Sequence, residues 1–283
     1  MNSEQLAWLI RRHGIEMTHI SHGSHIGAIL SVADIIAVLY NEVANVNPEN
    51  YKDESRDRVI LSKGHAGASI YAALAEKGFF DRKELKTHYA NGSRLSGHVS
   101  HKGVPGVEFS TGSLGHGICV AAGMALNAKL DNKDYFTYVV TGDGECDEGS
   151  VWEAALFANH FKLNKLIVIV DHNKMQSLDY CENTLAIAPF EDKWKAFGWN
   201  VFSVDGHNHD ELKSALNNAK LSVDKPTVIV ANTIKGKGVS FMENDILWHY
   251  RFPHEGEEYD GALKELALSM PKGIVDPYAE DNV

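Results

Sequence analysis

Asp143 sits between two glycines in the stretch TGDGECDEGS (141–150), and Asn173 follows thirty residues later in VDHNKMQS (170–177). A carboxylate and an amide are hard oxygen donors, the type a small divalent cation such as Mg2+ takes in octahedral geometry beside phosphate oxygens. Gly142 and Gly144 let the backbone turn tightly and come close to a ligand. GDG by itself reads as an ordinary acidic turn. A second polar group at the end of the next apolar run changes that reading.

Histidine is the other signal. The chain has 15, nine of them before residue 120, and several adjoin glycine in SHGSH (21–25), KGHAG (63–67), SGH (96–98) and LGHG (114–117). Metal-ligand spacing on one helix with a third ligand nearby is not evident, so the pattern reads as polar groups lining a pocket. Imidazole titrates near neutrality, so such a group can give or take a proton.

These residues need elements to hold them. The first third is helix-rich: 3–20, then 31–43 with Ser31 as N-cap, then 66–77, then 81–89 opened by Asp81 and closed by Glu84 as a capping box. RVILS (58–62) reads as a buried strand. From about 113 the pattern alternates: helix 113–130, strand 135–140, a helix from Ser150 to about 161, strand 165–170, helix 189–197, strand 201–204, helix 208–220, strand 227–232. Near-continuous apolar strands separated by helices predict an α/β fold, a parallel sheet with helices on both faces. Ligands in such sheets lie beyond the strands' carboxyl ends, which gathers the residues after 140, 170 and 232 at one rim. With no repeat or linker, we expect one domain over 1–283: a helix-rich part (1–110), a βα core (111–250), and a C-terminal helix (257–269) with an acidic tail.

Composition bounds the function. A formal net charge of −11 argues against binding nucleic acid, which needs clustered Lys and Arg. Cys119, Cys146 and Cys181 are an odd number without CxxC spacing, as expected of reduced thiols. The amphipathic start MNSEQLAWLIRRHG is no signal peptide, and no apolar run approaches about 18 residues. A cytoplasmic protein with no membrane partner is expected.

The run from Gly142 to Asn173, GDGECDEGSVWEAALFANHFKLNKLIVIVDHN, resembles the thiamine diphosphate motif. GSHIGAILSVADIIAVLY (23–40), RDRVILSKGHAGASIYAAL (56–74), SGHVSHKGVPGVEFSTGSLGHGICVAAGMA (96–125), VDGHNHDEL (204–212) and KGKGVSFMENDILWH (235–249) resemble successive blocks of the transketolase family, in order and over most of the chain. The resemblance implies the diphosphate-binding fold, with thiamine diphosphate and Mg2+ (or Ca2+ or Mn2+) as cofactors. Asp143, Asn173 and the Met175 carbonyl would hold the metal. His65, Gly112, Ser113, Leu114, Gly144, Asn173 and His249 would contact the cofactor. His25, His98 and His249 would serve the chemistry, and Glu148 would link two active sites across a dimer.

The resemblance also implies what is lacking. The pyrimidine-binding domain with its activating glutamate has no room after residue 250, so a separate C-terminal transketolase subunit is expected, in an assembly of two plus two. Ile26 and Val99 replace prolines usual in the family, His172 replaces an acidic residue, and VSHKGV follows His98. These departures bear on the donor and acceptor sugars, and a branched or sulfonated ketose is one possibility. Rival readings are another thiamine diphosphate reaction, such as 1-deoxyxylulose-phosphate synthesis or 2-oxoacid decarboxylation, or a non-catalytic assembly subunit. His25, His98 and His249 together favour hydroxyl-rich donors.

Other residues weigh toward structure. His13, His19, His88 and His160 read as packing or surface histidines. His22, His101 and His116 could line the pocket mouth or not. GHNHDEL reads as a loop and helix cap. Lys235 and Lys237 stand at the ligand rim and lean toward anion binding.

Overall fold

The computed structural model describes residues 1–279. In chain order the elements are α1 (Ser3–Ser21), α2 (Ile26–Val38), β1 (Arg58–Leu61), α3 (Gly67–Glu76), α4 (His116–Leu130), β2 (Thr137–Gly142) and α5 (Gly149–His160). There follow β3 (Leu166–His172), a short α6 (Cys181–Thr184), α7 (Phe190–Ala196), β4 (Asn200–Asp205), α8 (His209–Ala219), β5 (Thr227–Asn232) and α9 (Glu257–Leu268). The five strands form one sheet in the order β1-β2-β3-β5-β4, parallel throughout.

Successive strand side chains point to opposite faces, and in the central strands both faces are largely apolar. Tyr138, Val140, Ile167, Ile169 and Ile229 face a core shared with α1, α2, α3 and α8. Val139, Leu166, Val168, Val170 and Val228 face the other, shared with α4, α5, Trp194 and Trp199. Both faces are covered, so neither set of side chains meets water. A third cluster ties Trp8, Ile15 and Ile26 to Trp248 and to Leu266 of α9, fastening the 239–248 segment to the first two helices.

Four sequence expectations shift. α2 begins at Ile26, and Ser31 is an interior residue rather than its N-cap; the Ser31 hydroxyl is buried and donates to Asp171 Oδ1 at 2.7 Å. Residues 82–87 form a 3-10 turn, not an α-helix: Asp81 accepts from Lys83 N, while Glu84 pairs with Arg94 instead of closing a capping box. α4 starts at His116 because Gly115 is left-handed (φ 79°). α5 starts at Gly149 with Glu148 as its N-cap residue; the Ser150 hydroxyl donates to Gly115 O at 3.0 Å, joining α5 to α4.

One helical stretch is more apolar than expected. Ile26–Val43 is long and apolar enough by composition to cross a membrane, yet 83% of it is buried inside the protein. Burial against α1 and α3 accounts for its apolarity, and its continuation Leu39–Val43 is a π-helical turn.

Candidate active site

Parallel pairing makes the rim. Gly142 of β2 stands beside Asp171 of β3, so the residues that follow, Asp143 and then Asn173, emerge from adjacent strands on one edge. The loop after β5 brings Lys235, the turn after β1 brings Lys63 and His65, and the amino end of α2 brings His25. With His98, Gly112, Leu114, Met175 and His249 they line a cleft of about 210 Å3.

Four histidines from four chain segments converge in it. Ring centroids lie 5.2 Å apart for His25 and His65, 5.6 Å for His25 and His98, 5.0 Å for His25 and His249, and 5.5 Å for His65 and His249. So close together they cannot all be charged. Burial, then His98, holds His25 down to about 4. Burial and then Lys235 hold His249 down to about 3. His65 is lowered by burial and the nearby Lys63, and His98 by burial. Among the described residues His25 Nδ1 is buried without a hydrogen-bond partner, and His25 is held in a left-handed conformation (φ 78°) that turns the chain into α2. That leaves an imidazole nitrogen in the cleft for a ligand to meet.

Buried charges are arranged unequally. The Lys63 ammonium pairs with Asp171, which also accepts from Ser31 and Thr233. Burial alone would raise the Asp171 carboxyl, but Lys63 and the hydroxyls bring it below its ordinary range. Lys235, 1% exposed, donates to Gln176 O at 2.9 Å and His249 Nδ1 at 2.8 Å, and has no ion pair with a described carboxylate. Burial and Lys63 push it down to about 8. Asp143, 2% exposed, accepts from the Gly144 and Lys174 amides, and its nearest basic group is His172 Nε2 at 4.0 Å. Burial raises it despite that histidine.

An ammonium lacking a carboxylate and a carboxylate lacking a strong cation, both buried on one cleft, suit a ligand carrying both signs. A diphosphate with its metal is such a ligand. Backbone shape agrees: a Cβ on Gly144 would lie 2.6 Å from Gln176 Cγ, and one on Gly112 (φ 155°) 3.1 Å from His98 Cδ2, so a side chain at either place would displace a residue that lines the cleft. Among the described residues no three His, Cys, Asp or Glu side chains could hold a metal by themselves, so an amide, a carbonyl and phosphate oxygens would have to complete the shell. The Asn173 side chain is fixed at the cleft wall, its Nδ2 donating to Ser31 Oγ at 3.1 Å and its Oδ1 accepting from the Met175 amide at 3.1 Å.

Some expected residues lie elsewhere. Ser113 is exposed on a neighbouring hollow lined by Phe109, Gly112 and His116. Glu148 is exposed beside Gly115 and does not line the cleft. His22 stacks on Phe252 and His101 bonds Ser110, both outside it. His13 is buried between Tyr278 and Glu76, and His19 stacks on Tyr259, as packing histidines do. Lys237 lines a different cavity.

Sequence reasoning passed over Lys63, Asp171, Glu145 and Tyr250. Glu145 is buried and accepts from Gly142 N at 3.0 Å, Gly115 N at 2.9 Å and the Ser62 hydroxyl, stapling three loops of the rim. Its only signal was a carboxylate two residues past the GDG aspartate. Tyr250 follows His249 and packs its ring 5.5 Å from His25.

A parallel sheet with a diphosphate-type cleft at its carboxyl rim, ringed by neutral histidines, defines the class of thiamine diphosphate-binding enzyme domains. The family model described as "Transketolase, thiamine diphosphate binding domain" matches residues 3–251. The chain belongs to the transketolase family of transferases, as its N-terminal, thiamine diphosphate-binding part. It is 45% identical over 225 residues to the 6-deoxy-6-sulfo-D-fructose transketolase subunit of a Clostridium species, covering 80% of this chain and 82% of that one. It is 38% identical over 262 residues to an apulose-4-phosphate transketolase subunit of Phocaeicola vulgatus, covering 93% and 92%. The Campylobacter jejuni transketolase structure matches 99% of this chain with a TM-score of 0.88 at 30% identity. This chain spans 45% of that one.

Proposed function

We propose that the chain is the diphosphate-holding subunit of a split transketolase. It would move a two-carbon ketol unit from a ketose or ketose phosphate to an aldose, together with a separate C-terminal subunit that covers the pyrimidine. The observation that carries this reading is that two buried and unmatched charges, Lys235 and Asp143, line one cleft with four converging histidines.

Asp143, Asn173 and the Met175 carbonyl would hold Mg2+, or Ca2+ or Mn2+ in its place. Lys235, Gly144 and His65 would meet the diphosphate, Gly112 and Leu114 the adjoining ring, and Ser113 the edge of that contact. Bound thiamine diphosphate supplies the electron sink for breaking and remaking the C–C bond.

The chain's own groups handle protons and hydroxyls. Because Lys235 donates to His249 Nδ1, the neutral His249 carries its proton on Nε2 and offers a donor. His25 Nδ1, neutral and unpartnered, is free to exchange a proton with a substrate hydroxyl. His98, exposed at the mouth, adds a third imidazole within reach of the same space. Glu148, on the surface, would serve contact between subunits in an assembly of two plus two. The two similar subunits named above act, by their names, on a sulfonated sugar and on apulose-4-phosphate, which supports a specialised donor. A cytoplasmic location belongs to the same reading.

The test is donor cleavage by this chain with thiamine diphosphate, Mg2+ and a panel of ketoses, with and without the polypeptide encoded beside it. Activity only with the partner is the expected result; full activity from this chain alone overturns the split assignment. Asp143→Ala should abolish metal-dependent cofactor retention in calorimetry, and unchanged retention would refute the metal site.

A further inference from the structure

The turn Asp205–Asn208 is fastened to the end of β5. Gly206 N donates to Asn232 O at 2.8 Å, and a Cβ on Gly206 would lie 2.4 Å from Thr233 Cγ2, so only glycine allows this approach. The approach delivers the next side chain. His207 Nε2 accepts from Ile234 N at 2.8 Å. That nitrogen is therefore unprotonated, and the ring proton sits on Nδ1, which donates to Asp34 Oδ2 at 2.6 Å.

Asp34 is a firm anchor. Its carboxylate lies buried on α2, and takes Arg11 through both oxygens (3.1 and 2.5 Å) and His209 Nε2 at 3.0 Å. Burial would raise it, but Arg11 and the two histidines hold it well below its ordinary value, so it stays charged. The same helix carries Ser31, and His25 caps its start.

Ile234 immediately precedes Lys235. Thr233 N still reaches His172 O, and Ile234 N is the first amide beyond the sheet that needs an acceptor from elsewhere. A second tie runs in parallel: Gly236 N donates to Gly27 O at 3.0 Å, and Lys235 Cγ lies 3.2 Å from the place of a Cβ on Gly27. The Lys235 loop is thus pinned to α2 on both sides of the lysine.

We infer that His207 is a positioning residue: its Nε2, kept free of the ring proton that Nδ1 gives to Asp34, holds the Ile234 amide and thereby sets where the Lys235 ammonium meets an anionic ligand. The effect on the diphosphate rests on the cofactor reading above; the effect on the loop does not.

Two substitutions separate the two bonds. His207→Gln puts an acceptor where Nε2 was and keeps the Ile234 bond, while His207→Asn puts a donor where Nδ1 was and keeps the Asp34 bond. Each loses one bond, so both complexes with the partner subunit should lose similar thermal stability. Amide hydrogen exchange over 233–238, read without cofactor, should stay protected at Ile234 in His207→Gln and become fast in His207→Asn. Thiamine diphosphate affinity, measured by calorimetry with Mg2+, should fall roughly tenfold in His207→Asn and stay within about twofold in His207→Gln, the scale of one lost hydrogen bond. Equal exchange in the two variants overturns the inference, as does separated exchange with equal cofactor affinity. If the wild-type complex takes up no thiamine diphosphate, the cofactor reading falls while the exchange comparison still decides the loop.

Discussion

Lys235 Nζ lies 2.8 Å from His249 Nδ1, and both groups are buried. An ammonium that donates to an imidazole holds that imidazole neutral, and a neutral imidazole leaves the ammonium's charge uncompensated. The pair is poised for an anion. Each member also fixes the other: the lysine sets the histidine's tautomer, and the histidine aims the lysine.

This arrangement predicts opposite effects on stability and binding. Lys235 is held down to about 8 from 10.5, so at neutral pH its burial costs on the order of 3 kcal/mol of folding stability. Lys235→Met should leave the unliganded chain as stable as wild type or more so, by thermal denaturation. Thiamine diphosphate affinity should fall by roughly tenfold to a hundredfold, the scale of a charge-assisted hydrogen bond, by calorimetry.

The Lys63–Asp171 pair behaves differently, because each charge there has its counterpart. Asp171→Ala leaves a buried ammonium alone and removes the acceptor of Ser31 and Thr233. A loss of about 3–5 kcal/mol is expected in urea unfolding. A loss below about 1 kcal/mol would mean that the pair is not buried as described.

Two glycines make a matched test of close approach. A Cβ on Gly64 would lie 2.4 Å from Thr111 O and 2.7 Å from Gly112 N, both backbone atoms at the start of the loop that brings Gly112 and Leu114 to the cleft. Gly64→Ala should cost about 1–3 kcal/mol and weaken cofactor binding. Gly123 on α4 meets nothing within 4 Å. Gly123→Ala should stabilise the chain by about 0.5–1 kcal/mol, through helix propensity alone.

Acid should destabilise the fold through its buried histidines. His88 is 5% exposed, and burial lowers it to about 4 from 6.5. Its folded value is the lower one, so its contribution is intact above about 6.5 and is lost as pH falls toward 4. The slope is about 1.4 kcal/mol per pH unit for that one proton. Denaturant titrations between pH 7 and 4.5 should show that slope reduced in His88→Asn; an unchanged slope would assign the acid sensitivity to other groups.

Much of the architecture was legible in advance because it depends on local pattern. KLIVIV and TVIVAN are apolar on nearly every residue, which marks strands covered on both faces, and strand 227–232 matched its observed span. Helix starts were less legible. Ser31 and Ser150 have the composition of caps, but each hydroxyl has a distant partner, Asp171 and Gly115, that local pattern cannot reveal. The GHNHDEL stretch is a helix cap, as read: Asn208 accepts from Asp210 N and Glu211 N. Its two histidines reach Asp34, which no spacing rule announced.

The amino-acid sequence by itself determined the strands, most of the helices, the glycine turns and the aspartate and asparagine at consecutive strand ends, since each follows from periodicity or from neighbours along the chain. Its order of motifs was enough to carry the family. The tertiary structure alone decided which of fifteen histidines converge, that Lys63 is neutralised by Asp171 while Lys235 is not, and that Glu145 staples three loops. The reason is physical: protonation and charge balance depend on burial and on partners brought from distant segments, and those are set only when the strands assemble in the order β1-β2-β3-β5-β4.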